Sequence, residues 1–354
     1  MVKSLGGPIL ATPKIIPIFF PSDPDADALT TFLGKLPVSA YWKEITHEYG
    51  IGATTTGAPI TVANETAPGV ITDPQVKTWL ASHLDGAAAD WGTPDPNAVY
   101  VVFYPSTTTF SIDGAMSCRS LGAYHSMTTI GKTDVTYAVI GRCPLYQGLS
   151  GLDVVTAGTS HELIEAVTDP SSDKAAFSAV DDDHVVWEAQ PGAEVADMCD
   201  TFSGVYFAPP DLGFTVERVW SNARAAAGHH PCIPAIDGEV YFNAIPTLTD
   251  AVDMTPGPGA TKGISVPIGK TKVVDVALLS DAPTSGPWTV DVKVVGENPP
   301  SLDLSLDKKS GVNGDKLKLT IKRKDAGSLS GGSVIVATST LGKKKNIWMG
   351  YVSD

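Results

Sequence analysis

The stretch Gly158-Thr159-Ser160-His161-Glu162-Leu163-Ile164-Glu165-Ala166-Val167-Thr168-Asp169-Pro170 decides how this chain is read. It predicts the end of one helix running from Leu152 to Val167, with Asp153 placed to cap its start and Pro170 to end it. His161 and Glu165 are four residues apart, so they share a helix face, while Glu162 is adjacent and points elsewhere. An imidazole and a carboxylate on one face offer two metal ligands, and the neighbouring carboxylate offers a base.

A metal site of this kind needs a third protein ligand from outside the helix. Candidates lie in Trp187-Glu188-Ala-Gln-Pro-Gly-Ala-Glu194-Val-Ala-Asp197-Met-Cys199. Asp197 is the first choice, because a disulfide at Cys199 would pin its loop; Glu194 is the second, and His125 and His184 stay open. One histidine with two carboxylates makes a harder donor set than two histidines, so calcium and manganese stand beside zinc as candidate ions. The spacing is that of a zinc-protease helix with Glu165 where a second histidine would stand. The chemistry expected is hydrolysis, with one zinc ion polarising a carbonyl and activating water. Glu162 would take the water proton and deliver it to the leaving amine. His125 would stabilise the oxyanion, with Tyr124 as the alternative, and Asp169 would orient a ligand.

Working outward, Lys14–Phe20 and Val99–Tyr104 predict buried strands, with Tyr137–Ile140 as a third. Helices are expected over Pro24–Leu36, towards the end of Pro37–Tyr49, and from Asp73-Pro74 with Val76, Trp79, Leu80 and Leu84 on one face. Cys118–Tyr124 reads as a loop leading to His125, Asp173–Phe214 as an acidic, loop-rich segment, and Val216–Trp220 as a strand. Asp181-Asp182-Asp183 reads as a solvent-facing turn, with a structural calcium site as the alternative.

Beyond the Pro- and Gly-rich linker 251–263 come seven short runs of strand character: Ile264–Val266, Lys272–Leu278, Trp288–Val295, Leu302–Leu306, Leu317–Lys322, Gly332–Thr338 and Lys345–Tyr351. They predict a small immunoglobulin-like β-sandwich over 264–354. The fold class expected is therefore α+β: a mixed-sheet catalytic domain over 1–250, the linker, and an accessory sandwich.

The 354 residues carry a net charge of -14, unevenly spread. Residues 1–250 hold 11 Lys+Arg against 29 Asp+Glu, and 251–354 hold 14 against 10. An acidic first part repels nucleic acid and suits cations. Apolar runs are too short to span a membrane. Four cysteines, at 118, 143, 199 and 232, allow three pairings, of which Cys118/Cys143 with Cys199/Cys232 would close local loops. Disulfides would place the protein outside the cell.

Ser160-His161-Glu162-Leu163-Ile164-Glu165-Ala-Val-Thr168-Asp169-Pro170, Glu194-Val-Ala-Asp197-Met-Cys199, Trp220-Ser221-Asn222 and Cys232 together resemble a family of secreted bacterial and fungal proteins related to the plant phosphate-induced EXORDIUM proteins. Cys118 with His125, and Tyr137–Cys143, also look like that family; the resemblance covers roughly residues 95–235. It implies a zincin-like helix and a site drawn from His161, Glu162, Glu165, Glu194 and Asp197. Two functions follow as expectations. One is a secreted zinc endopeptidase acting on protein or peptide substrates. The alternative is a non-catalytic, metal-containing cell-wall or surface protein, attached through its C-terminal domain.

Overall fold

The computed structural model describes residues 1–354 apart from 87–90, 172, 190–193, 201, 203, 233–239 and 255–258. The chain divides into two compact units, Ser4–Ser178 with Glu194–Trp220, and Met1–Lys3 with Ala179–Ala193 and Ser221–Asp354.

In the first unit the elements run β1 (Lys14–Phe19), α1 (Ala26–Lys35), α2 (Ala40–His47), β2 (Thr55–Thr56), β3 (Ile60–Thr61), β4 (Val70–Thr72), α3 (Asp73–His83), β5 (Ala98–Phe103), β6 (Thr109–Ile112), β7 (Ala115–Met116), β8 (Ala123–Ile130), β9 (Thr133–Ile140), α4 (Leu152–Thr168), β10 (Tyr206–Phe207) and β11 (Val216–Glu217). The main sheet has the order β2-β1-β5-β9-β8, with β3 also on β1. β1, β5 and β9 are parallel, and β8 returns antiparallel at the edge. Central parallel strands are covered on both faces, which explains the unbroken apolar run Ala98–Phe103, buried throughout. Pro17 sits inside β1 at little cost. Its neighbour on one side is interrupted there, with β2 pairing at residues 14 and 15 and β3 at 18 and 19, so no ladder bond is lost on that side.

Alternation along the strands sorts the two faces. Ile16, Ile18, Tyr100, Val102, Tyr124, Tyr137 and Val139 join Val76 and Leu80 of α3, and Leu84 at its C-cap, in one apolar cluster. His125, paired with Ala138 in the β8–β9 ladder, belongs to the opposite set. That is the side of α4, which packs on β8 and β9.

α4 is buried almost all round, including Thr156, Thr159, Ser160, Glu162, Glu165 and Thr168. Two of its threonine hydroxyls bond back to the helix: Thr159 Oγ1 donates to the Val155 carbonyl at 2.6 Å and Thr168 Oγ1 to the Ile164 carbonyl at 2.8 Å. The start of the helix corrects the sequence reading. Gly151 is the N-cap, at φ 59° and ψ −134°, a conformation open mainly to glycine. Asp153 lies inside the first turn and accepts from Thr215 Oγ1 at 2.6 Å instead of capping.

The second unit holds α5 (Asn222–Ala226), β12 (Phe242–Pro246), β13 (Asp250–Asp253), β14 (Ala260–Ser265), β15 (Thr271–Ser280), β16 (Trp288–Val294), β17 (Leu302–Leu306), β18 (Ser310–Gly311), β19 (Lys316–Arg323), β20 (Ser333–Leu341) and β21 (Lys344–Ser353). Two sheets form, β12-β15-β19-β17 and β13-β14-β21-β20-β16-β18. One apolar cluster draws on both, with Phe242, Leu278 and Leu319 from the first sheet and Trp288, Ile335 and Val352 from the second. The stretch 251–263, read as linker, holds parts of the antiparallel pair β13–β14, in which Val252 faces Thr261; residues 255–258 lie outside the described set. The described residues of 221–250, a stretch placed by sequence with the first domain, group with these sheets, since β12 pairs along β15 from Phe242 to Pro246.

Candidate metal and catalytic site

Two imidazoles and a ring of carboxylates meet over α4. His161 Nε2 lies 3.1 Å from Glu165 Oε2 and 3.4 Å from Asp197 Oδ1. These are the three ligands expected from the sequence. The separations match the edge of a tetrahedron, about 3.4 Å when each ligand stands about 2.0–2.2 Å from a zinc ion. On the other side of the ring, His161 Nδ1 faces Glu217 Oε2 at 3.0 Å. With the ring neutral, a carboxylate at Nδ1 favours the proton there and would leave the Nε2 lone pair for a metal.

Backbone contacts place the carboxylates. Glu165 Oε1 accepts from the amides of Ala196 and Asp197, at 3.1 and 3.0 Å, which leaves Oε2 for the site and seats the loop that carries Asp197. Glu217 is docked by its own backbone: its amide donates to Ser160 Oγ at 2.9 Å, and Tyr41 Oη donates to its carbonyl. Sequence reasoning missed Glu217. The signal available was a lone carboxylate in the run Val216-Glu217-Arg218-Val219, whose Val216 and Val219 are buried.

His125 stands on the facing strand. Its Nδ1 lies 3.2 Å from Glu162 Oε2 and 3.8 Å from Glu165 Oε2, and its Nε2 lies 3.5 Å from Glu194 Oε2 and 3.2 Å from the Asp169 carbonyl oxygen. The loop expected before His125 gives way to a strand from Ala123. Asp169 contacts the site through its carbonyl rather than its carboxylate, which instead accepts from the Ala176 amide at 3.0 Å. Tyr124 is buried on the opposite face, in the cluster with Phe110 and Tyr137, so it is not an oxyanion donor.

Other candidates fall elsewhere. His184 and Trp187 belong to the other unit, where His184 Nδ1 and the Met1 amine both pair with Asp181. Lys262 Nζ lies 2.5 Å from Asp183, so two of the three consecutive aspartates already meet cationic or imidazole partners. Groups able to hold a metal among the described residues are His161/Glu165/Asp197, His125/Glu165/Glu194 and His161/Asp200/Glu217.

The electrostatics are those of buried like charges. Burial raises the Glu165 carboxyl, and Asp197 adds to the effect. Burial likewise pushes Glu194 up to about 9, with Glu165 contributing, and Glu217 up to about 8, where His161 works against it. For the imidazoles burial acts downward, but the carboxylates win. Glu194 and Glu162 help hold His125 up at about 10, and Glu165 and Glu217 hold His161 well above its ordinary range. Protons thus hold together a cluster whose donor set suits a divalent cation.

The disulfide Cys118–Cys143 closes the segment that holds β8 and β9. Cys199 and Cys232 are also disulfide-bonded, and no cysteine is free. Two disulfides fit an extracellular setting. No helix among the described residues is long and apolar enough to cross a membrane.

No protein-family profile and no curated protein matches the chain. Among solved structures, domains 4 and 5 of the S-layer protein SbsC are 14% identical, with a TM-score of 0.20 over 34% of this chain and 81% of that one. The titin M3 domain is 9% identical, with a TM-score of 0.20 over 32% of this chain and 97% of that one.

Proposed function

We propose that the protein is a secreted, zinc-dependent endopeptidase, with a zincin-like catalytic unit and a C-terminal sandwich as accessory module. The observation that carries this reading is the pairing of His161. One ring nitrogen faces Glu165 and Asp197 at ligand spacing, and the other is held by Glu217. Glu162 stands beside this set on the same helix, where a general base is needed. The two sheets that share one apolar cluster support the accessory sandwich.

His161, Glu165 and Asp197 would hold the ion. A zinc ion bound there supplies a Lewis acid and lowers the pKa of a water molecule. Glu162 would serve as the general base towards the attacking water and then as the proton donor to the departing amine. His125, hydrogen-bonded to Glu162 through Nδ1, sets the direction of that carboxylate, and its Nε2 would serve a developing oxyanion only by leaving the Asp169 carbonyl. Burial of Glu162 and Glu165, 6% and 2% exposed, keeps bulk water from screening these charges.

The test is the Glu162→Gln variant, with metal content read by elemental mass spectrometry and cleavage of an unstructured peptide mixture read by peptide mass spectrometry. Expected are zinc retained and a rate lower by about 10²–10⁴-fold. Equal cleavage by wild type and variant would overturn the assignment of Glu162. A zinc-loaded wild type that cleaves nothing would overturn the peptidase reading.

A further inference from the structure

A second set of donor groups lies on the far side of Glu165. His125, Glu165 and Glu194 each offer a ligand atom within 4.8 Å of the others, and this set shares only Glu165 with the set around His161. Glu165 Oε2 lies between the two rings, 3.1 Å from His161 Nε2 and 3.8 Å from His125 Nδ1. Its other oxygen is taken by two backbone amides. A single carboxylate oxygen thus faces both imidazoles, as a bridging ligand does.

Charge points the same way. Glu162, Glu165, Glu194, Asp197 and Glu217 all pair with these two imidazoles. One dication with neutral imidazoles leaves three formal negative charges in a largely buried site, where uncompensated charge is costly. A second dication leaves one.

We propose that the site is binuclear: a second divalent transition-metal ion binds His125, Glu194 and Glu165, with Glu165 bridging it to the ion at His161 and Asp197. The inference rests on the metal site put forward above and gives His125 a different duty. His125 holds an ion, and that ion takes over the polarising role given to the imidazole. Two-metal sites clamp both the attacking and the departing atom of a displacement.

The experiment uses the full chain, stripped with chelator and reloaded with zinc alone, with bound zinc per chain measured after desalting. His125→Ala and Glu194→Gln are tested beside His161→Ala. Glu194 is partly exposed, so its conservative variant probes the second set even if His125→Ala fails to fold. Two zinc ions in wild type, falling to one in Glu194→Gln and in folded His125→Ala, are expected. Cobalt loading adds an independent readout, with magnetic coupling between two ions in wild type that disappears in Glu194→Gln. One zinc in wild type, unchanged in Glu194→Gln but lost in His161→Ala, overturns the second site and leaves the first intact. No zinc in any form overturns both.

Discussion

Carboxylates in the two units behave as though they came from different proteins. On the C-terminal sheets, Lys318 and Lys316 pair with Asp275 and Lys324 with Asp303, on surfaces open to water. Over α4, Glu162, Glu165 and Glu217 are almost fully buried and pair with imidazoles. Exposed pairs are solvated before and after folding, so their net worth is small. Buried carboxylates lose their hydration and need protons or cations in return. The teaching is that residue type alone says little; a glutamate's surroundings decide whether it decorates a strand or strains a core.

The largest effect should come from the apolar cluster of the sheets. Trp288 is fully buried against Phe242, with its indole nitrogen unbonded, so Trp288→Ala removes packing alone. A loss of about 3–5 kcal/mol is expected in denaturant unfolding. A loss below 1 kcal/mol would show that this cluster does not carry the unit.

Next comes pH. In metal-free protein, Glu165, Glu194, Glu217, His125 and His161 all have pKa values above their ordinary ones. The folded state therefore binds protons more tightly than the unfolded chain does. The associated stability is present in full below the ordinary values and is lost as pH rises through the raised ones. Tm of the chelated protein should fall as pH climbs from 4.5 towards about 9. Added zinc should reverse the trend, because its ligands bind it deprotonated. A chelated protein whose Tm rises over that window would contradict this account of the site.

A smaller effect should follow from Glu217→Gln. The amide keeps the shape but removes the charge from His161 Nδ1, and zinc affinity should drop by about 10–100-fold in competition with a chelator. Unchanged affinity would reduce Glu217 to a packing residue. Smallest of all, Lys324→Ala breaks an exposed pair with Asp303 and should cost under about 1 kcal/mol.

Legibility in the sequence followed the same division. Strands such as Lys316–Arg323 alternate between buried and exposed positions, and a two-residue period survives reading by eye. The helix carrying His161, Glu162 and Glu165 was equally plain, because i and i+4 share a face whatever surrounds them. Asp197 was reachable through its neighbour Cys199. Glu217 was not, since its role depends on a strand of two residues docked by Ser160 and Tyr41, both distant in sequence. Strand β8 was hidden for another reason: Ser126, Met127 and Thr128 are half-buried in succession without alternation, as suits an edge strand. The helix start misled because aspartate caps are common, yet a glycine with positive φ had already turned the chain.

The two oxygens of Glu165 have a consequence for ligand exchange. A free carboxylate can swing between gripping a metal with one oxygen and with two, and the second grip shuts out other ligands. Here the backbone of Ala196 and Asp197 keeps Oε1 occupied, so Glu165 would have Oε2 alone to offer a metal. An ion held this way would keep a position open for an incoming water or carbonyl, and the loop that sets this limit is the one that carries Asp197.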